Sequence, residues 1–303
     1  MFTPIPDRDL ALKTYRYLRM GMVGLVVALA VSILLERLEV DCWQTSISSY
    51  YYTPVRAVFV GGLMAIGASL LVIKGSTRRE DVLFNIAGIL APVVGVVPTS
   101  SVGECWSLEP TPLPTDGEGN LAPWVIANID NNIQALLLAG IVGMLAVGII
   151  AAVVYDDPVT AARSAPRDRQ IGLIVTMAVL LIGWGLHRWW DAFPTQAHGW
   201  AAVLMFLFLA LGIGVNAWER RHIPKHRRYA GIYAVISALM VGVGIVFLAA
   251  LRGWSHMVLV LEITEITLFA AFWVAQTVEH WGRDSLRVAP DEPGLEPEFS
   301  GSE

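Results

Sequence analysis

The sequence predicts an all-α membrane protein, a polytopic bundle of eight transmembrane helices with both termini in the cytoplasm. Of its 303 residues, 55% are hydrophobic and only 16% are charged, and the mean hydropathy is +0.58. Too little polar surface remains to cover a water-soluble core of this size. Apolar runs of 16 to 23 residues also recur along the chain. As helices, such runs are long enough to cross about 30 Å of hydrocarbon.

The apolar runs define eight predicted helices and one domain, residues 1–281. The predicted helix cores are residues 20–35, 57–73, 82–97, 133–155, 171–186, 200–218, 229–251 and 257–278. Residues 282–303 are rich in Pro, Glu and Asp, which predicts a disordered acidic tail. The net charge is −5, with the acidic excess in loops and in the tail, and no nucleic-acid partner is implied.

The distribution of lysine and arginine predicts the orientation. All but four of the 21 lie in the N-terminal segment, the tail and the loops that share their face. That face is the cytoplasmic one by the positive-inside rule, which predicts a multi-pass protein of a bacterial cytoplasmic (inner) membrane. The basic run E-R-R-H-I-P-K-H-R-R is then an anchor touching anionic lipid, with His222 and His226 solvated. The four exceptions are Arg37, Arg56, Arg188 and Arg252.

Residues 46–56, S-I-S-S-Y-Y-Y-T-P-V-R, bring hydroxyls, aromatic rings and a cation to the mouth of an apolar helix. Thr53 and Pro54 predict the start of that helix, which places Arg56 in its first turn. A cation there faces the positive end of the helix dipole at the edge of hydrocarbon, so we expect an anion beside it. Alternatively, the tyrosines form an interfacial belt and Arg56 reaches a lipid phosphate.

The two cysteines, Cys42 and Cys105, both lie in predicted outer loops, where an oxidising compartment favours a disulfide between them. The alternative is two unrelated thiols. Cys105 belongs to the longest connection, residues 98–132, which is rich in proline and contains no Lys or Arg. A bridge to Cys42 would hold this connection as a lid over residues 46–56. Its second half, around Trp124 and Ile129, predicts a short surface helix.

Unusual polar residues concentrate at the predicted outer ends of the helices, which predicts an outward-facing cavity between the second, fifth, sixth and eighth helices. Glu262 and Glu265 lie within an apolar helix, where carboxylates face the bundle interior and are functional candidates. We also expect one of them to pair with Arg56. The candidate ligand-binding residues are Ser49, Tyr51, Tyr52, Arg56, Asn131, Arg188, His198, Glu262 and Glu265.

Three functions fit such a cavity. The first is binding of a lipid headgroup or small anionic ligand, with membrane lipids as partners and no catalysis assumed. The second is proton-coupled transport through Glu262 and Glu265. The third is a zinc-dependent intramembrane lipid hydrolase, for which zinc is the possible cofactor and His187, Asp191, His198 and His256 are candidate ligands. A purely structural role, in which Glu262 neutralises Arg56, is also open.

Four segments carry a resemblance: S-I-S-S-Y-Y-Y-T-P-V-R-A-V-F-V-G, N-I-A-G-I-L-A-P, D-N-N-I-Q-A-L and H-G-W-A-A-V-L-M-F. Together they resemble uncharacterised multi-pass membrane proteins of actinobacterial type, a resemblance that implies no activity. A serine, an aspartate and histidines in a helical bundle are also similar to the alkaline-ceramidase and adiponectin-receptor hydrolases. Those follow a seven-helix plan with paired histidines on the last helix, whereas the last helix here offers glutamates.

Overall fold

The structure is a computed structural model that describes residues 7–73, 75, 77–100, 103, 105–108, 110, 112–116, 118–154, 166–250 and 254–281. These residues form helices and no strand, so the predicted all-α class is confirmed. The predicted tail, residues 282–303, lies outside the described residues. The α-helices are α1 Asp7–Val40, α2 Arg56–Val72, α3 Arg78–Val96, α4 Pro123–Val154, α5 Pro166–Trp189, α6 Phe193–Arg220, α7 Arg227–Ala250 and α8 Met257–His280. Two short 3-10 helices cover Ser48–Tyr52 and Pro224–His226.

Five segments of the described helices are long and apolar enough to cross a membrane, which indicates a membrane protein. They number fewer than the eight crossings predicted from the sequence. α2 has only 17 residues, the apolar part of α5 is similarly short, and α3 opens on the charged turn R-R-E-D. The five segments are Lys13–Val40, Pro123–Ile150, Phe193–Arg220, Pro224–Phe247 and Met257–His280.

Six helices form a closed ring. In order around it, α1 packs against α2, α2 against α3, α3 against α6, α6 against α7, α7 against α8, and α8 returns to α1. Aromatic side chains of α3, α7 and α8 meet inside the ring, where Phe84 and Tyr233 both lie against Phe272. α4 and α5 pair with each other, and α4 contacts α3, so this pair lies beside the ring.

Two glycines allow α2 and α3 to pack closely. A Cβ on Gly67 would lie 2.6 Å from the carbonyl oxygen of Gly88, and a Cβ on Gly88 would lie 2.9 Å from that of Gly67. Pro92 of α3 would also clash with a Gly67 side chain, at 2.7 Å. Small residues are the usual means by which membrane helices approach each other. This contact holds α2 and α3, the two helices that line the candidate site, against each other.

The short surface helix predicted around Trp124 is instead the first part of α4, which begins at Pro123 and continues without a break. Val125 and Ile129 are buried and pack with Val97 and Phe193 in a second apolar cluster. Burial of this face against neighbouring helix ends, which the local pattern could not show, makes the segment part of the bundle.

Candidate functional site

Residues 45–56 connect α1 to the first turn of α2, and residues 46–53 of this segment are buried. The N–H of Leu259 donates to the carbonyl of Thr45 at 3.0 Å, which fixes the segment to the start of α8. Ser46 and Ser49 hydrogen-bond to each other through their hydroxyls at 2.9 Å, and both are buried. The Tyr52 hydroxyl donates to the carbonyl of Thr99 at 2.9 Å. The segment is therefore held by α8 on one side and by the connection after α3 on the other.

The predicted disulfide is confirmed, since Cys42 and Cys105 are bonded to each other. A second contact lies beside it, where the Glu36 carboxylate accepts hydrogen bonds from the Ser107 N–H at 3.0 Å and the Ser107 hydroxyl at 2.9 Å. Both contacts tie residues 105–107 to the end of α1. We call this side of the bundle the disulfide end and the opposite side, where α8 finishes at His280, the Glu279 end.

A continuous hydrogen-bonded chain crosses the disulfide end. The Glu262 Oε2 accepts the N–H of Ile47 at 2.6 Å, and its Oε1 lies 2.9 Å from the Ser48 Oγ. The same Ser48 Oγ lies 2.8 Å from Nε2 of His198. Nδ1 of His198 lies 2.7 Å from the carbonyl oxygen of Val97. This chain, Glu262–Ser48–His198–Val97, links α8, the first 3-10 helix, α6 and the residue after α3.

Arg56 lies at the first position of α2 and is exposed. Its Nη2 donates to the Tyr51 hydroxyl at 2.7 Å, and its guanidinium carbon lies 4.3 Å from the centre of the Tyr51 ring. Burial raises the pKa of the Tyr51 phenol, although the Arg56 cation opposes the shift. The Tyr51 phenol is therefore neutral, and its hydroxyl accepts the hydrogen bond that positions Arg56.

Arg56 opens onto a pocket of about 480 Å³ between the ends of α2, α3 and α4. α2 provides Gly61, α3 provides Gly95, and α4 provides Asn132. Asn131, the residue expected from the sequence, is its exposed neighbour and is not part of the pocket lining. A charged group and an amide therefore share this pocket with apolar and glycine surfaces.

The ion pair expected between Arg56 and the glutamates of α8 is not formed among the described contacts. Glu262 bonds to Ser48 and Ile47, and Arg56 bonds to Tyr51. Glu265 is 4% exposed, and its Oε2 has no hydrogen-bond partner among the described residues.

The four candidate zinc ligands do not lie together at one site. His187 lies 3.8 Å from Asp130 and packs on Phe193, whereas His256 contacts the carbonyl of Trp43. His198 lies within the buried chain described above. Within the described residues, no group of three or more His, Cys, Asp or Glu side chains is placed to hold a metal ion. The remaining candidates near this face, Arg188 and Asp191, are exposed at the end of α5, which lies outside the ring of six helices.

The Glu279 end contains a charged cluster that sequence reasoning missed. Glu279 is 2% exposed, and its carboxylate pairs with Arg220 at 2.6 Å and with His226. The Tyr233 hydroxyl donates to the same carboxylate at 2.7 Å. The expectation that His226 is solvated was therefore wrong. The signal present in the sequence was a carboxylate near the end of an apolar helix, but its partners come from α6, α7 and the second 3-10 helix.

A second buried pair lies beside this cluster. The Asn216 amide donates to Glu80 Oε1 at 2.5 Å, and the two side chains are 0% and 1% exposed. α6 and α3 are thereby joined one turn away from Arg220.

Comparison of the chain with protein families, curated proteins and solved structures found no match.

Proposed function

We propose that this membrane protein binds an anionic group, a lipid headgroup or a small anion, in the Arg56 pocket. The observation that carries the proposal is an exposed guanidinium whose described contact is a neutral tyrosine rather than a carboxylate. A fixed cation at the edge of an apolar bundle gains most from a bound anion. No catalytic step is part of this proposal.

A second arginine at the same end provides the contrast. Arg37 also lies over an aromatic ring, with its guanidinium carbon 5.5 Å from the centre of Trp43. Its Nη1, however, pairs with Asp41 at 2.7 Å. Arg37 is therefore neutralised within the chain, whereas Arg56 keeps its charge available to a ligand.

The pocket has the size and composition of a headgroup site. A volume of about 480 Å³ lies within the range of roughly 300–1,000 Å³ typical of small-molecule sites. Its lining contains Arg56, Tyr51, Thr53 and Asn132 as polar residues and no acidic residue. These groups supply hydrogen-bond donors suited to phosphate or carboxylate oxygens.

The membrane arrangement belongs to the same proposal. α2 and α3 belong to a closed ring with four of the spanning helices, and α5 pairs with the fifth. We therefore propose that all eight helices lie across the bilayer, with both termini cytoplasmic and the Arg56 pocket outside, in a bacterial cytoplasmic membrane. Single cysteines introduced into a variant lacking Cys42 and Cys105 test this, because a membrane-impermeant reagent should label position 113 but not position 225 in intact cells.

The central experiment compares Arg56→Gln with Arg37→Gln. Native mass spectrometry of protein from nanodiscs containing equal phosphatidylglycerol and phosphatidylcholine should show retained phosphatidylglycerol in the wild-type protein and in Arg37→Gln. Arg56→Gln should retain about tenfold less, because a charged hydrogen bond contributes roughly 1.5–3 kcal/mol. Equal retention by the two variants would contradict the proposal.

A second arm distinguishes the source of the anion. Inorganic phosphate is titrated into protein in zwitterionic micelles and followed by calorimetry. Phosphatidylglycerol retention without phosphate binding assigns a lipid headgroup, and phosphate binding lost in Arg56→Gln assigns a free anion. Gly61→Val should weaken either ligand because a Cβ at Gly61 meets open space in the pocket, whereas Gly24→Val, equally unobstructed on α1, should not. Failure of the wild-type protein to bind either probe overturns the proposal.

Proton-coupled transport remains the second candidate, favoured by one observation: Glu265 is buried in α8 with an unpartnered carboxyl oxygen. Such a group in a spanning helix is a potential proton carrier. Protein in liposomes under an imposed pH gradient should pass protons or a co-substrate, and Glu265→Gln should abolish the flux. Equal flux in wild type and variant would remove this candidate.

A further inference from the structure

We infer that Glu262, Ser48 and His198 form a proton-transfer relay that holds one exchangeable proton between the carboxyl group and the imidazole. The inference is independent of the Arg56 pocket, because none of these three residues lines that pocket. The two sites share only the segment 45–56, to which Ser48 belongs. It follows from counting hydrogens along the Glu262–Ser48–His198–Val97 chain.

The carbonyl of Val97 fixes the tautomer of His198. A carbonyl oxygen only accepts hydrogen bonds, so the contact of 2.7 Å requires a hydrogen on Nδ1. A neutral His198 therefore has a bare Nε2, and a hydrogen on Nε2 makes the ring an imidazolium. His198 is 5% exposed, so both ring nitrogens are held away from bulk solvent.

Ser48 contacts two groups but has one hydrogen. Its Oγ lies 2.8 Å from Nε2 of His198 and 2.9 Å from Oε1 of Glu262. If Nε2 is bare, Ser48 donates to it, and the contact with Glu262 requires a hydrogen on Oε1. If Nε2 carries a hydrogen, it donates to Ser48, and Ser48 donates to a carboxylate.

Both satisfied arrangements contain the same number of protons and have no net charge. They interconvert when the Oε1 hydrogen moves to Ser48 Oγ while the Oγ hydrogen moves to Nε2, so atoms and charge balance. A carboxylate beside a neutral imidazole leaves one of the two contacts without a hydrogen. A buried polar contact of that kind is costly, which favours the arrangements with the shared proton.

Among the residues that the structure describes, no cation contacts Glu262 to hold it ionised. Its second oxygen accepts the neutral N–H of Ile47, and the backbone N–H of Ser48 is a further neutral donor to the carboxyl group. α1 and α2 line the adjoining cavity of about 60 Å³ with apolar residues such as Leu29 and Phe59. On its own helix the nearest titratable group is Glu265, another acid, and α6 contributes His198 itself. The relay therefore faces an apolar cavity that Ser48 and Glu262 both line.

Infrared spectroscopy and ¹⁵N NMR of the full chain in nanodiscs test the inference directly. At neutral pH, the band of a protonated carboxyl should disappear in Glu262→Gln, or the ¹⁵N shifts of His198 should show an imidazolium beside a Glu262 carboxylate. Signals are assigned with Glu262→Gln and His198→Gln. A carboxylate at Glu262 together with a neutral imidazole at His198 overturns the relay.

The role of Ser48 is tested by co-titration. On raising the pH of the wild-type protein, the Glu262 band and the His198 shifts should change at one common pH, because one proton leaves a shared chain. Ser48→Ala should separate the two transitions, and Ser48→Thr, which keeps the hydroxyl, should preserve them. Two independent transitions in the wild-type protein, or wild-type behaviour in Ser48→Ala, would contradict the inference. Glu265→Gln is the matched control and should leave the His198 signals unchanged.

Discussion

Glu262 and Glu279 lie on the same helix, yet the two ends of the bundle treat them in opposite ways. Glu279 is paired with the Arg220 guanidinium and also contacts His226, so its charge is balanced by a cation from a neighbouring helix. Glu262 is bonded to a hydroxyl and a backbone N–H, both neutral. The comparison indicates that Glu279 forms a structural ion pair, which we call the clamp, with Arg220. In the proposed relay, by contrast, Glu262 at the disulfide end shares a proton that can be released.

Of the predicted changes, replacing Arg220, the cation of the clamp, should cause the largest loss of stability. Arg220→Met leaves Glu279 buried without its arginine partner, and breaking a buried pair costs about 3–5 kcal/mol. Thermal unfolding in detergent should show a large drop in midpoint. The neighbour Arg221 is exposed and lies over Trp218, so Arg221→Met serves as the control and should change the midpoint little. Equal losses in the two variants would mean that the clamp does not stabilise the bundle.

Loss of the disulfide should weaken the opposite end. Replacing Cys42 and Cys105 by Ser releases a bridge between residues 63 positions apart, and bridges of this kind contribute typically 2–4 kcal/mol. Hydrogen exchange should increase in residues 42–53 and 105–108 and remain unchanged around Glu279. A uniform increase over the whole bundle would show instead that the two ends do not behave as separate units.

Removing one hydroxyl at each end should sharpen the contrast. Ser48→Ala deprives both Glu262 and His198 of a partner, so we expect a loss of about 1–3 kcal/mol. Tyr233→Phe removes one bond to Glu279 but leaves Arg220 and His226 in place, so its cost should be smaller. Chemical denaturation of the two variants measures the difference. A larger loss of unfolding free energy in Tyr233→Phe than in Ser48→Ala would contradict the view that Glu279 depends less than Glu262 on a single hydroxyl.

A carboxylate in the connection before α4 should give the smallest effect. Asp116 accepts hydrogen bonds from the N–H groups of Asn120 and Glu118, and these bonds lower its pKa, those from Asn120 most of all. Because the folded pKa lies below its ordinary value, the contribution to loop order is complete at neutral pH. It is lost as the pH falls through the lowered pKa. NMR of the Gly119 and Asn120 amides should show this acid transition, and Asp116→Asn should abolish it. An unchanged transition in that variant would assign it to another group.

The helices themselves were largely predictable, because long apolar runs must form helices in a membrane whatever their partners. The predicted core 257–278, for example, falls within α8, and the core 133–155 ends within one residue of α4, although α4 begins ten residues earlier, at Pro123. The bridge between Cys42 and Cys105 was also predictable, since the sequence has only two cysteines and the predicted topology places both of them in outer loops. The prediction failed where sequence patterns are local, because the segment around Trp124 belongs to α4 and is not a separate surface helix. Of the eight predicted crossings, five have the length and hydropathy of a span within the described residues.

The composition and the spacing of apolar residues determined that this chain is an all-α membrane protein, and they identified residues 46–56 as its unusual polar segment. Which polar side chains meet was decided only by the tertiary structure. Ser48 and His198 are 150 positions apart, and Ser48 and Glu262 are 214 positions apart. Arg56 was expected to neutralise Glu262, but the 3-10 helix gives each a neutral partner, Tyr51 for Arg56 and Ser48 for Glu262. Helical periodicity determines the face on which a residue lies, whereas the order of helices around the ring determines what that face contacts.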